Sequence, residues 1–305
     1  MRHKLAWATA VAGGITAVVA GAEPVQLTVT IENLAPRNGT FQTPHFVAFH
    51  DGSFDIYNGG TPADSLPIPG SEGVERLAED GNTGVLTMDF EILVPGGVVA
   101  TMAGPNGPIA PGEVATMTFD LESTDPNARF FSYASMVIPS NDFWYANGDP
   151  MAIPVFDEAG NFVAQDFIVT NQRILDAGTE VNDELPMNTA FFGQQMPDTG
   201  VEENGVILDF GDPSGLVMFM PPEEGGILAD PGFAGADFAL DGYPLVKISF
   251  ATGVAAADEA FVRGLYLELL GFEPDEAGLM FWVEALQDGL SRDAATQAFM
   301  DAAGG

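Results

Sequence analysis

From about residue 25 the chain alternates apolar and polar positions in short runs. In VQLTVTIENL (25–34), Val25, Leu27, Val29 and Ile31 alternate with Gln26, Thr28, Thr30 and Glu32. A period of two puts one side of a strand in a core and the other in water. The same reading predicts strands in VLTMDFEIL (85–93), ATMTFDL (115–121), FSYASMVI (131–138), NFVAQDFIV (161–169), GVILDF (205–210), GLVMFM (215–220) and PLVKISF (244–250). Stretches rich in Gly, Pro, Asn and Asp separate them. Many short strands with no helical period between them predict a mainly β fold, an antiparallel β-sandwich.

The period changes after residue 255. Phe261, Leu265 and Leu269 would share one helix face behind an Asp258 cap, and Gly271 and Pro274 would end that helix. Asp275 would cap a second helix containing Leu279, Trp282 and Leu286, and Ser291 a third containing Ala295, Phe299 and Ala302. The expected organisation is a sandwich over residues 23–250, a linker at 251–257 and a small three-helix domain at 258–305.

The first 22 residues have another character. Arg2, His3 and Lys4 precede an apolar stretch ending in Ala20-Gly21-Ala22, which reads as a signal peptide cleaved after Ala22. The apolar run is short and diluted by glycine, which disfavours a membrane anchor, and no later stretch is apolar enough to span a bilayer. The mature chain is therefore expected to be secreted, with no transmembrane segment.

Charge narrows the partners. Forty-four acidic residues against nine basic ones give a net charge of −35, spread along the chain. Such a surface repels nucleic acid and anionic lipid, attracts divalent cations and suits a saline medium. The chain has no cysteine, which excludes disulfides, a thiol nucleophile and thiolate metal sites.

Within that acidic background ILDAGTEVNDELP (174–186) carries Asp176, Glu180, Asp183 and Glu184. Carboxylates so close are either solvated by water or held by a cation. Gly178 gives the turn between Asp176 and Glu180 the freedom to converge oxygens on a hard divalent ion. Asp51 and Asp55, with Ser53 between them, only faintly resemble a calcium loop and read as a polar turn. His45 and His50 lie five apart in a strand-like run, which sends them to opposite faces as structural histidines rather than zinc ligands. No Gly-x-Ser-x-Gly elbow occurs, and acid pairs are uninformative in so acidic a chain. Phe143, Trp144 and Tyr145 read either as packing beneath a loop or as a contact surface.

Three stretches resemble the spondin N-terminal domain family in its bacterial form: VTIENLAPRNGTFQTPHFVAFHDGSFDIYNGGTPA (29–63) with VERLAEDGNT (74–83), SMVIPSNDFWYANGDP (135–150) and DAGTEVND (176–183). The resemblance implies a sandwich similar to the synaptotagmin-type calcium-binding fold, with Ca2+ held by loops at one end. Its ligands would be Asp142, from the Pro-Ser-x-Asp-aromatic turn, and Asp176 and Glu180, from the Asp-Ala-Gly-Thr-acid turn. Glu180 stands where vertebrate members carry Asp. The C-terminal stretch 260–303, with its Gly271-to-Trp282 frame, looks like a helical domain of unknown function related to phycobilisome-linker repeats.

The expected function is non-catalytic, calcium-dependent adhesion or recognition in the extracellular matrix or at the cell surface, with a glycan or protein ligand. A secreted hydrolase of polysaccharide or lipid is the first alternative. A structural surface-layer or matrix component, in which calcium only stabilises the fold, is the second.

Overall fold

The structure is a computed structural model and describes residues 25–183, 185–209, 230–237, 240–287 and 290–303. The strands are β1 Val25–Asn33, β2 Phe41–Gln42, β3 His45–His50, β4 Val98–Met102, β5 Val114–Leu121, β6 Phe130–Ile138, β7 Phe143–Ala146, β8 Phe167–Thr170, β9 Ile174–Asp176, β10 Leu208–Asp209 and β11 Pro244–Thr252. The helices are α1 Gly73–Asp80, α2 Gly84–Leu93, α3 Gly253–Leu265, α4 Glu276–Gln287 and α5 Arg292–Ala303. The expected signal peptide and the expected strand at 215–220 lie outside the described residues.

The protein is mainly β and its strands pair antiparallel in two sheets. A four-stranded sheet runs β5-β1-β11-β8. A seven-stranded sheet runs β10-β9-β7-β6-β3-β4, with β2 also on β6. Leu27, Val29 and Ile31 of β1 meet Val47, Phe49, Phe131 and Tyr145 of the larger sheet in a common core, giving a β-sandwich-like fold.

The larger sheet is covered on both faces. Val47 and Phe49 of β3 point into the intersheet core, whereas Phe46 and Ala48 pack with Leu77, Leu86 and Phe90 of α1 and α2. All six residues of β3 are consequently buried. The run HFVAFH shows why a doubly covered strand loses its alternation.

Helix α2 corrects the expected strand at 85–93. Leu86 and Phe90, four apart, are buried on one helical face, while Met88 and Ile92 are exposed. The two-residue alternation of Leu86, Met88, Phe90 and Ile92 also contains this four-residue spacing, and the apolar floor offered by Phe46 and Phe54 selects the helix. The expectation of no helices among the strands therefore fails at α1 and α2.

At the C-terminal end β11 passes directly into α3 at Gly253, so the expected linker at 251–257 holds the end of the strand and the start of the helix. Asp258 lies inside α3 instead of capping it, and its carboxylate accepts from Arg292 of α5 at 2.8 Å. Asp275 does cap α4, accepting from the Gly278 amide at 2.7 Å. Val262, Leu265, Leu279, Leu286, Ala295 and Phe299 from the three helices share one apolar cluster. Among the described residues no helix is long and apolar enough to cross a membrane.

Candidate functional site

Strand register brings the two expected acidic turns together. In the β7–β9 pair Phe143 faces Asp176, so Asp142, one residue before Phe143, lies beside the turn that follows Asp176. The turn between β6 and β7 is shaped by Ser140, whose hydroxyl donates to the Val137 carbonyl at 2.6 Å and accepts from the Phe143 amide at 3.1 Å. The Ala177 amide donates to the Asp142 carbonyl at 3.3 Å.

The second turn depends on Gly178. Its φ of +67° suits glycine, and a Cβ there would stand 2.5 Å from the Val206 carbonyl. The segment 201–205 braces this turn, with the Glu203 amide donating to the Thr179 carbonyl at 2.8 Å and the Gly205 amide to the Gly178 carbonyl at 2.7 Å.

The three expected ligands are all buried, Asp142 completely and Asp176 and Glu180 nearly so. Oδ2 of Asp142 accepts from the amides of Thr179 and Glu180 at 3.2 and 3.3 Å. Asp176 accepts from the Gly178 amide and from Asn182 Nδ2, each at 2.7 Å, and its carboxyl is within hydrogen-bonding reach of Asp142. The Glu180 carboxylate turns away, with Oε1 accepting from the Gly200 amide at 2.7 Å. The structure thus joins Asp142 and Asp176 as a carboxylate pair and brings Glu180 to that pair through its amide. Asp183 bonds locally to Leu185 and Asn188, and Glu184 lies outside the described residues.

Among the described residues no Lys or Arg pairs with Asp142, Asp176 or Glu180. Burial lifts the Asp142 carboxyl well above its usual range, and the charge of Asp176 lifts it further. Burial likewise raises Asp176, against the bonds from Asn182 and Gly178. Glu180 is pushed up to about 7 by burial, against the Gly200 hydrogen bond. Four oxygens of this region, Asn141 Oδ1, Asp142 Oδ1, Glu180 Oε2 and Asn182 Oδ1, are buried with no hydrogen-bond partner. Unmatched acceptors with no cation beside them are costly as they stand and are the donor chemistry a hard divalent ion takes.

A second acidic group was not anticipated. Carboxylate oxygens of Glu75, Glu79 and Asp198 lie within 4.8 Å of one another. Arg76 already occupies that position electrostatically, at 2.5 Å from Glu75, 2.8 Å from Glu79 and 3.0 Å from Asp80. The guanidinium supplies the positive charge a metal would otherwise bring. The group lines a cleft of about 640 Å³ whose lining also includes Gly178 and Thr179. Asn141 and Asn182 could have been noticed beside the expected acids, whereas Gly200, some twenty residues from Glu180, carries no sequence signal.

The remaining sequence candidates are structural. Phe143, Trp144 and Tyr145 are fully buried and form no contact surface. Asp51 closes a local turn with the Ser53 amide at 2.9 Å. His45 bonds Tyr145 at 2.7 Å, and burial lowers its pKa to about 3. His50 Nδ1 accepts from the Gly52 amide at 3.0 Å, which leaves Nε2 protonated toward Ser132 Oγ at 2.8 Å. That imidazole is a donor to Ser132 and offers it no base.

Comparison with known proteins reaches only the C-terminal end. Residues 247–304 match the family described as a domain of unknown function, DUF4214. The match takes in the latter part of β11 with α3, α4 and α5, and it classes this segment rather than the whole protein. No curated protein matches the chain.

Proposed function

We propose that this is a secreted, non-catalytic recognition or adhesion protein of the extracellular matrix or cell surface, whose sandwich holds a calcium ion in the loops carrying Asp142, Asp176 and Glu180. The observation that carries the reading is the group of unpartnered buried oxygens on Asn141, Asp142, Glu180 and Asn182, around carboxylates with no basic partner. Asp142 and Asp176 would hold the ion, with Glu180 as the third carboxylate. A bound calcium would convert the mutual repulsion of these groups into attraction and tie the 139–143 turn to the 176–182 turn.

The resemblance of residues 29–83, 135–150 and 176–183 to the bacterial spondin N-terminal domain supports the same assignment, including a sandwich of the synaptotagmin calcium-binding type. Residues 258–303 would then be an appended three-helix module. Export rests on the charged and apolar pattern of residues 1–22. The test is a glycan and matrix-protein binding panel run with calcium and with a chelator, beside a hydrolase screen. Calcium-dependent binding without turnover is the expected result, and turnover of a polysaccharide or lipid would replace the proposal with a hydrolase.

A further inference from the structure

At the other end of β9 from Asp176, the chain crosses from the four-stranded sheet to the larger one through residues 171–173. The smaller sheet stops at β8, and next to that edge lies a cleft of about 680 Å³. Its lining includes Tyr57, Tyr133, Asp149, Phe167 and Arg173.

Two side chains distinguish this cleft. Arg76, Arg129, Lys247, Arg263 and Arg292 each make an ion pair, whereas among the described residues Arg37 and Arg173 make none, although the chain carries a net charge of −35, and of these two it is Arg173 that lines this cleft. Arg173 is exposed on the crossover with its guanidinium uncommitted. Tyr133 lines the cleft and is only 4 % exposed. Burial raises its pKa, so the hydroxyl stays protonated and can donate, while the charge of Arg173 acts on it in the opposite sense and places the two groups within electrostatic reach.

We propose that this cleft binds a carboxylate-bearing ligand of monosaccharide size, held through the carboxylate by Arg173 and Tyr133. A guanidinium matches a planar carboxylate with two parallel donors, and the phenol supplies a third. Phe167 lies against Tyr133, with ring centroids 5.6 Å apart, and gives the cleft an apolar wall for the face of a sugar ring. Asp149 and the negative field of the whole chain disfavour a polyanion, so one carboxylate on an otherwise neutral body fits best. This inference goes beyond the calcium reading and does not depend on it.

The experiment is calorimetric titration of the full chain with glucuronate, glucose and acetate, at fixed ionic strength in a chelating buffer. Glucuronate should bind saturably, with glucose and acetate each at least about tenfold weaker. Arg173→Gln should weaken glucuronate by about tenfold or more at an unchanged melting temperature, because the residue is exposed. Tyr133→Phe should weaken it by about three- to tenfold. No saturable binding, equal affinity for glucuronate and glucose, acetate matching glucuronate, or unaltered binding by Arg173→Gln would each overturn the proposal.

Discussion

Replacing Asp142 by Asn should change the protein in opposite directions with and without calcium. In the metal-free protein Asp142 is fully buried, has no basic partner among the described residues and lies beside a second buried carboxyl, Asp176. An amide retains an oxygen for the Thr179 and Glu180 amides, which donate to Oδ2 over long distances of 3.2 and 3.3 Å. Exchanging charged for neutral acceptance there costs about 1 kcal/mol for each of the two bonds. Against this stands the burial of an uncompensated carboxyl, an effective penalty of several kcal/mol, together with repulsion from Asp176. The new amide group can also donate toward Asp176. The net expectation is a gain of about 1–3 kcal/mol for metal-free Asp142→Asn at pH 7, or about 2–6 °C in melting temperature for a chain of this size. Calcium reverses the order. At about a hundred times its dissociation constant it should stabilise the native protein by about 2.7 kcal/mol and leave the variant nearly unchanged. Thermal unfolding at fixed high ionic strength, with chelator, calcium or magnesium, reads both effects and removes general charge screening as a cause. A variant less stable than the native protein without metal, or one that keeps the full calcium shift, would refute the reasoning.

Burial raises Glu180 from 4.5 to about 7, so the folded metal-free protein holds a proton that the unfolded chain releases. Its stabilising contribution is complete below about pH 4.5 and is lost as pH rises toward 7, and melting curves across that window should flatten in Glu180→Gln. In Gly200→Ala the new methyl group would collide with the Glu180 carboxylate. The expected cost is about 1–3 kcal/mol by denaturant unfolding, with a smaller calcium shift. Arg76→Met removes the cation from Glu75, Glu79 and Asp80 and should cost about 3–5 kcal/mol, least at low pH, where Glu75 and Glu79, both raised by burial, are protonated.

β1, β5 and β11 of the smaller sheet were legible because their surroundings preserve the alternation, whereas the edge strand β4 was not expected and β8 covers only the end of the expected 161–169 strand. β1 alternates buried and part-exposed positions and pairs with β5 and β11 in the register its apolar residues require. The 85–93 stretch was not legible, because its apolar spacing fits either period and only the Phe46–Phe54 floor decides between them. Asp142, Asp176 and Glu180 could be named because their two short turns resemble those of a known family, and the β7–β9 register brings the two turns together. The orientation of the Glu180 carboxylate could not, because it follows from Gly200 on a distant segment. The Glu75–Glu79–Asp198 group around Arg76 was invisible for the same reason, as Asp198 reaches α1 only through the fold. Phe143, Trp144 and Tyr145 were ambiguous in sequence because a strand buried on both faces and an exposed aromatic patch share the same composition.

The most direct test of a calcium site is a calcium titration of the metal-free full chain, by calorimetry at high ionic strength with magnesium present. One saturable calcium ion per chain is predicted, undiminished by magnesium, lost in Asp176→Asn and kept in Asp183→Asn. Absence of a saturable step, equal uptake of magnesium, or identical behaviour of the two variants would contradict the account and leave the 174–186 segment as acidic loop alone.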